Sequence, residues 1–111
     1  FLEMVTLETS VFLGPGVTFT DDPHPIIPIN SRECWKGAVV GDGAIIGGNA
    51  TILPHIRIGK MAVIGAGSVV VENIPDNKVA VGNPAKIIKN ASELICRRTA
   101  KPHYPYKNRA L

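Results

Sequence analysis

The stretch VVGDGAIIGGNATILPHIRIGKMAVIGAGSVV, residues 39–70, decides the fold. A large aliphatic residue recurs in it at every sixth position, and glycine follows most of these residues. A helix is excluded because glycine and β-branched residues are both poor in helix interiors. Long alternating strands are excluded because each apolar–polar run lasts only three or four residues before a glycine. The period of six therefore predicts a unit made of one short strand and one tight turn.

The same period runs through two blocks of the chain, separated by a break. We define the start of each hexad as its large apolar residue, and ten starts occur, at Phe1, Leu7, Leu13, Phe19, Val40, Ile46, Ile52, Ile58, Ile64 and Val70. The residue four positions after a start is small or aliphatic wherever the repeat is unbroken. A short internal period indicates a solenoid, in which each unit covers its neighbour. We expect the starts to point inward, where burial of each contributes about 1.5–3 kcal/mol, and glycine to stand where backbones approach closely.

Composition indicates one globular domain without a membrane span. The chain has 111 residues, of which 45% are hydrophobic and 19% charged, which is typical of folded rather than disordered chains. No apolar run approaches the ~18 residues of a membrane helix, and no secretory leader is evident. We therefore expect a cytoplasmic protein in which Cys34 and Cys96 are reduced thiols. The net charge of +3 fits a phosphate-bearing ligand as well as a polyanion, and a chain that opens inside the repeat predicts further sequence upstream.

Two further motifs make the pattern more specific. The hexads, with GAGSVV at residues 65–70 and VGNPAKIIK at residues 81–89, closely resemble the hexapeptide-repeat acyltransferase family over about 88 of the 111 residues. The resemblance implies an all-β fold, a left-handed parallel β-helix with three hexads per coil at residues 1–88. The break in the period predicts a protruding loop at residues 20–39, and the spaced apolar residues of NASELICRR predict a short C-terminal helix, followed by a tail, within residues 89–111. The resemblance also implies an acetyltransferase that uses acetyl-CoA as co-substrate, requires no metal and forms a homotrimer.

The break in the repeat is the predicted place for chemistry. Residues 20–39 read TDDPHPIIPINSRECWKGAV, and proline and aspartate make this a loop. Long loops on a compact scaffold tend to be functional. In the resembling family such a loop walls the acceptor site of the next subunit and often carries a catalytic histidine before a proline, which matches His24 here. A histidine can take a proton from an attacking hydroxyl or ammonium group near neutral pH. Trp35 either packs the loop onto a neighbouring subunit or stacks on a ligand.

The two aspartates of the loop offer a second interpretation. Counted in hexad phase from Phe19, the family's usual histidine position falls on Asp22 rather than His24. The segment FTDDPHP is most similar to the nucleotide-sugar N-acetyltransferase branch of the family, where the two polar residues help to hold an amino sugar. Asp21 and Asp22 are therefore candidates for binding a sugar amine, because carboxylates form charge-assisted hydrogen bonds to ammonium groups. The alternative is that an Asp-Asp-Pro turn simply caps the loop.

The resemblance also implies a site for coenzyme A in a groove between neighbouring subunits. Small residues keep the groove open and expose backbone groups to the amides of the pantetheine arm, which predicts contacts at Gly48, Ala66 and Gly67. Lys86 and Lys89 match basic positions of the family's closing motif, and each could pair with a coenzyme phosphate as a point charge. The cation that the family often carries directly after GAGSVV is absent from this chain.

Two other functions fit the same fold. A zinc carbonic anhydrase would need three histidine ligands at a subunit interface, but His24, His55 and His103 are widely spaced and His103 lies beyond the repeat. A non-catalytic assembly module is the second, since the closing motifs also serve to end the coil. We predict that His55 is an exposed corner residue without a catalytic role. The chain has no RNA-binding motif and no basic stripe, so we expect a small-molecule sugar acceptor and neither a nucleic-acid nor a membrane partner.

Overall fold

A computed structural model describes residues 5–20 and 37–94, and it confirms the short strand in each hexad. Nine strands of two residues each follow the six-residue period. They are β1 (Thr6–Leu7), β2 (Phe12–Leu13), β3 (Thr18–Phe19), β4 (Val39–Val40), β5 (Ile45–Ile46), β6 (Thr51–Ile52), β7 (Arg57–Ile58), β8 (Val63–Ile64) and β9 (Val69–Val70). Two longer strands, β10 (Lys78–Gly82) and β11 (Ala85–Asn90), and one 3₁₀ turn, Ala91–Glu93, complete the described chain.

Every third strand pairs in parallel, so three hexads make one coil. The first sheet is β1-β4-β7, the third is β3-β6-β9, and the second is β2-β5-β8 extended by β10 and β11. Val39 pairs with Arg57, an offset of 18 residues, whereas Thr6 pairs with Val39, an offset of 33. The offset between the first and second coils is therefore 15 residues longer than that between the second and third, and the sheets keep their parallel register across it.

The hexad starts form the core, as predicted. In the second and third coils all six starts are at most 1% exposed. Ala44, Ala50 and Ala62 stand at the crowded corners beside them and are 0% exposed. In the first coil, which no described coil covers, Leu7 and Leu13 are only half-buried, whereas Phe19 is 6% exposed. Burial of the core thus depends on stacking one coil on the next.

Both ends of the predicted loop at residues 20–39 carry residues that belong to the coils. Thr20 donates its backbone N–H to the Ile52 carbonyl at 3.0 Å, so it is still part of the first coil. Ala38 is already fully buried, and Val39 opens β4. Backbone hydrogen bonding on one side and burial on the other hold these flanking residues in the coil. Residues 21–36 lie outside the described parts of the chain.

The turns of the coils need a left-handed backbone at one fixed position. The third residue after each described start has a positive φ between 58° and 77° wherever a tight turn follows, namely Ser10, Gly16, Gly43, Asn49, His55, Met61 and Gly67. His55 is exposed and has φ 68°, which confirms that it is a corner residue. Histidine is one of the side chains that tolerates this conformation relatively well.

The C-terminal part differs most from expectation. Residues after the third coil form an antiparallel hairpin of β10 and β11, which extends the second sheet. The hairpin runs to Asn90, two residues beyond the predicted boundary at residue 88. The predicted helix is a single 3₁₀ turn, Ala91–Glu93, in which Glu93 accepts the Asn90 backbone N–H at 2.7 Å. Leu94 returns to an extended conformation, and residues 95–111 are not described.

Within the ranges that the structure describes, no helix is long and apolar enough to cross a membrane.

Gly47 tests whether coil stacking sets the stability. A Cβ added there would lie 2.5 Å from the Ala66 backbone nitrogen, and neither coil can shift without breaking the parallel ladder. We expect Gly47→Ala to lower the free energy of unfolding by about 1–3 kcal/mol, measured by urea titration at one protein concentration. The matched control is Gly67→Asn, because a Cβ at Gly67 meets nothing within 4 Å and asparagine already occupies the equivalent left-handed position at Asn49. Equal stability of the two variants would contradict the close-approach explanation.

Candidate functional site

Turns that follow the strands of the second sheet stack directly on one another. We call the turns at residues 14–17, 47–50 and 65–68 the second corner. This corner brings together Gly48, Ala66 and Gly67, the three residues predicted to face a pantetheine arm. Gly48 is half-buried, while Ala66 and Gly67 are exposed. The corner is thus a strip of accessible backbone with no bulky side chain at these three positions.

Backbone amides in the middle of these turns form a ladder along the coil axis. Gly67 donates its N–H to the Gly48 carbonyl at 2.9 Å, and Asn49 donates to the Pro15 carbonyl at 2.9 Å. The coil above therefore already uses the Gly67 N–H, and the predicted coenzyme contacts at Gly48, Ala66 and Gly67 stay predictions. The Gly48 carbonyl is also engaged, although a carbonyl oxygen keeps a second lone pair.

The ladder ends in an available acceptor at Ala66. Its carbonyl accepts no hydrogen bond from any described residue, and its N–H likewise has no partner there. The peptide plane that points the Gly67 N–H at the coil above must point the Ala66 carbonyl the opposite way, because the peptide is trans and planar. Within residues 5–20 and 37–94 no fourth turn covers this carbonyl, since β10 runs straight past the corner to Gly82. The corner therefore presents a polar backbone group toward the C-terminal end of the coils.

A bulge in the hairpin places both predicted phosphate-binding lysines on one side of the second sheet. Lys89 pairs with Val79 and Lys86 with Val81, and the register shifts between Val79 and Ala80. Directly paired residues share a face, and residues two apart on one strand do too. Lys86 and Lys89 therefore lie on the same face although they are three residues apart. An unbulged strand would have put them on opposite faces.

That face is the outside of the coil, and it is apolar along its length. Ala80, on the opposite face, pairs with the buried start Ile64. On the outer face Phe12 pairs with Ile45, Ile45 with Val63, and Val63 with Val79. The first and third sheets instead carry threonine or arginine among their outward residues at Thr6, Arg57, Thr18 and Thr51. The outer face of the second sheet is thus an apolar strip that ends at two lysines.

His55 belongs to a different corner. Its turn follows β6, which pairs with β3 of the first coil in the third sheet. Residues 5–20 and 37–94 contain no group of three His, Cys, Asp or Glu side chains that could hold a metal ion. The predicted loop residues Asp21, Asp22, His24 and Trp35 lie outside the described ranges. Their catalytic and substrate-binding roles stay predictions.

One polar residue of the core was missed at the sequence level. Ser68 is 1% exposed, and its Oγ accepts the Gly82 backbone N–H at 3.1 Å. The signal was present, because Ser68 is the polar exception among the small or aliphatic residues four positions after the starts. Its partner lies 14 residues away in the hairpin, which the hexad period does not predict.

Comparisons with known proteins agree with this architecture. Residues 37–72 match the family model of the bacterial transferase hexapeptide (six repeats). The galactoside O-acetyltransferase of Lactococcus lactis is 37% identical over 86 residues, which cover 75% of this chain and 42% of that protein. The chain spans less than half the length of the curated relatives that it matches.

Two solved structures show the same coil. A maltose O-acetyltransferase from Clostridium difficile 630 superposes with a TM-score of 0.66 at 43% identity, covering 81% of this chain and 51% of that one. A perosamine N-acetyltransferase from Caulobacter crescentus, in complex with CoA and GDP-perosamine, superposes with a TM-score of 0.61 at 31% identity, covering 78% and 34%. Together with the three parallel sheets, these matches support the assignment of the chain to the hexapeptide-repeat transferase family, with the left-handed parallel β-helix as its fold.

Proposed function

We propose that the chain forms the coil part of a coenzyme-A-dependent acetyltransferase that acts on a small sugar. The observation that carries the proposal is the second corner, where the Ala66 carbonyl, which has no partner among the described residues, lies near the hairpin that bears Lys86 and Lys89. The corner and the hairpin are in contact, because a Cβ added to Gly65, the residue before Ala66, would lie 2.5 Å from Cγ1 of Val81. Val81 is the strand partner of Lys86. Polar backbone and paired cations thus occur at the same end of the coil.

The residues of this corner fit the chemistry of coenzyme A. Its pantetheine arm has amide groups that need backbone partners, which Ala66 supplies through its unpaired carbonyl and N–H. Its phosphates are anionic, and Lys86 and Lys89 are exposed cations on one face. When bound, acetyl-CoA supplies the acyl group as a thioester. The perosamine N-acetyltransferase that shares the fold holds CoA in its solved complex, which supports the same co-substrate here.

For the acyl transfer itself we propose that residues of the loop at 20–39 position and activate the acceptor. His24 would take the proton of the acceptor as it attacks, while Asp21 and Asp22 would hold an amine or hydroxyl in position. Backbone N–H groups would stabilise the developing oxyanion. Trp35 would pack the loop or stack on the acceptor. No metal is required by this scheme.

The acceptor is proposed from the neighbours and from the loop. Three of the similar proteins are named for maltose, galactoside and perosamine acetylation, whereas others are named for acetylation of serine or of a tetrahydropyridine dicarboxylate, so acetyl transfer is the shared chemistry and a sugar is one of its acceptor classes. The FTDD segment at residues 19–22 favours an amino sugar linked to a nucleotide. We therefore place N-acetylation of such a sugar ahead of O-acetylation. Comparing an amino sugar nucleotide with a neutral disaccharide as acceptors discriminates between the two.

We further propose that the apolar strip on the outer face of the second sheet is the contact between subunits of a homotrimer. Phe12 is 54% exposed there, and Ile45 and Val63 are half-buried in the single chain. Contact with a second copy would remove these side chains from water and leave the groove between subunits beside the second corner. The other two sheets lack a comparable strip in the described chain.

The trimer proposal predicts that Phe12→Asp dissociates the assembly. A carboxylate within this apolar contact would be desolvated without a partner, so light scattering should report a monomer. Thr18→Asp is the control, because Thr18 occupies the equivalent exposed position on the third sheet. It should leave the trimer intact. A trimer that survives Phe12→Asp at micromolar concentration would place the contact elsewhere.

The coenzyme site predicts a phosphate-specific loss in the double variant Lys86→Ala/Lys89→Ala. Each exposed ion pair contributes on the order of 0.2–1 kcal/mol, so affinity for coenzyme A should fall about three- to tenfold, and less at high salt. Affinity for pantetheine, which lacks the nucleotide phosphates, should stay within about twofold. Lys60→Ala is the control, since Lys60 is an exposed lysine at the turn after the first sheet. An equal loss for both ligands would argue against a phosphate contact.

The catalytic proposal predicts that His24→Ala lowers kcat at least tenfold, because general-base catalysis contributes about 10²–10⁴-fold. The affinity for coenzyme A, measured by calorimetry, should not change. His55→Asn is the matched control, as asparagine keeps the left-handed corner conformation that His55 adopts, and it should retain kcat within about twofold. Unchanged turnover in His24→Ala would reject the role of base.

A further inference from the structure

Ser68 is a buried polar residue at a position that elsewhere holds alanine or an aliphatic side chain. Ala44, Ala50 and Ala62 occupy the equivalent corners and are 0% exposed, and Ser68 is 1% exposed. A hydroxyl removed from water is unfavourable unless it is hydrogen-bonded. The serine therefore has to be explained by what its hydroxyl binds.

Three hydrogen bonds hold Ser68 between the coils and the hairpin. Its carbonyl accepts the Thr51 N–H of the coil above at 2.8 Å, and its N–H donates to the Gly65 carbonyl at 3.3 Å. These two bonds fix its backbone in the coil. Its Oγ accepts the Gly82 N–H at 3.1 Å. The side chain thus joins a rigid corner to the end of β10.

Gly82 is the residue at which the chain departs from the coil. In the third coil the chain turns the second corner at Gly65, directly after Ile64. Ala80 of β10 pairs with Ile64, but β10 does not turn there and continues to Gly82. Gly82 has φ 104° and pairs with Ala85, so it opens the reversal into β11. Its N–H finds an acceptor in the Ser68 hydroxyl rather than in a neighbouring strand. The hydroxyl therefore helps to set where the hairpin leaves the coil.

We infer that Ser68 is a positioning residue that fixes the hairpin carrying Lys86 and Lys89 relative to the Ala66 carbonyl. Ala66 and Ser68 belong to the same turn, and Gly82 stands three residues after Val79 and four before Lys86 on the hairpin. The hydrogen bond thus links the two parts of the proposed coenzyme site, the corner for the pantetheine arm and the lysines for the phosphates. The inference rests on the proposed function and specifies how that site is held together.

Loss of the Ser68 hydroxyl should weaken binding of the nucleotide part of coenzyme A more than binding of its pantetheine arm. Without the Ser68 hydroxyl, the Gly82 N–H loses its partner and the hairpin gains freedom at its base, while the turn at residues 65–68 keeps its backbone bonds. Contacts between the corner and the pantetheine arm should persist. Contacts between the lysines and the phosphates should weaken. A residue that served only to fill the core would not separate these two effects.

The test is Ser68→Ala, which places at this corner the residue that three other corners already carry. We expect the thermal unfolding transition to be retained and hydrogen exchange of the Gly82 amide, followed by NMR, to become faster. Affinity for coenzyme A should fall about three- to tenfold, the range set by losing exposed charge contacts, while affinity for pantetheine should stay within about twofold. In the Lys86→Ala/Lys89→Ala background, Ser68→Ala should have no additional effect on coenzyme A affinity.

Other outcomes overturn the inference in distinguishable ways. An equal loss for coenzyme A and pantetheine would make Ser68 a packing residue. Unchanged coenzyme A affinity in Ser68→Ala, with a loss in the double lysine variant, would remove the positioning role and leave the proposed function standing. A wild-type protein that binds neither ligand would reject the proposed function and the inference together. Ala62→Ser is the control for placing a hydroxyl at an equivalent corner, and it should not alter the ratio of the two affinities.

Discussion

Backbone hydrogen bonds between coils that repeat every 18 residues are the constraint on which the remaining structure depends. Most start residues are buried between stacked coils, and in the first coil, which no described coil covers, Leu7 and Leu13 are only half-buried while Phe19 is 6% exposed. The same close stacking requires glycine at Gly14 and Gly47, where a Cβ would meet backbone of the following coil at 2.5 Å. Sequence period, core and corner composition therefore have one physical cause.

The proposed site consists of groups at the end of the coils that the stacking does not pair or cover. Hydrogen bonds of the amide ladder join the second corner from coil to coil, and the ladder ends in the Ala66 carbonyl because the described part of the chain does not turn that corner again. The straight course of β10 also creates the hairpin, whose bulge puts Lys86 and Lys89 on the outer face. Ending the coil thus generates both an unpaired backbone acceptor and a pair of cations. Ser68 joins these two features through one buried hydroxyl.

The sequence predicts those parts of the fold that follow from which side chains point inward. The buried starts and the corner position of His55 follow from the hexad count, and both are confirmed. The count carries no information on amide direction, so it could not reveal that Gly67 donates to Gly48. It also ends before the hairpin, where the facing of Lys89 depends on a register shift rather than on a period. Within the described residues the predicted C-terminal helix is a single 3₁₀ turn. It ends at Glu93, and Leu94 is already in an extended conformation.

The most direct test of the central claim is a crystal structure of the protein with coenzyme A. The account predicts that a pantetheine amide donates a hydrogen bond to the Ala66 carbonyl and that a phosphate oxygen lies within about 4 Å of Nζ of Lys86 or Lys89. It further predicts that the Ser68–Gly82 hydrogen bond is kept in the complex. Coenzyme A bound at another corner of the coil, with the Ala66 carbonyl facing only water, would contradict it.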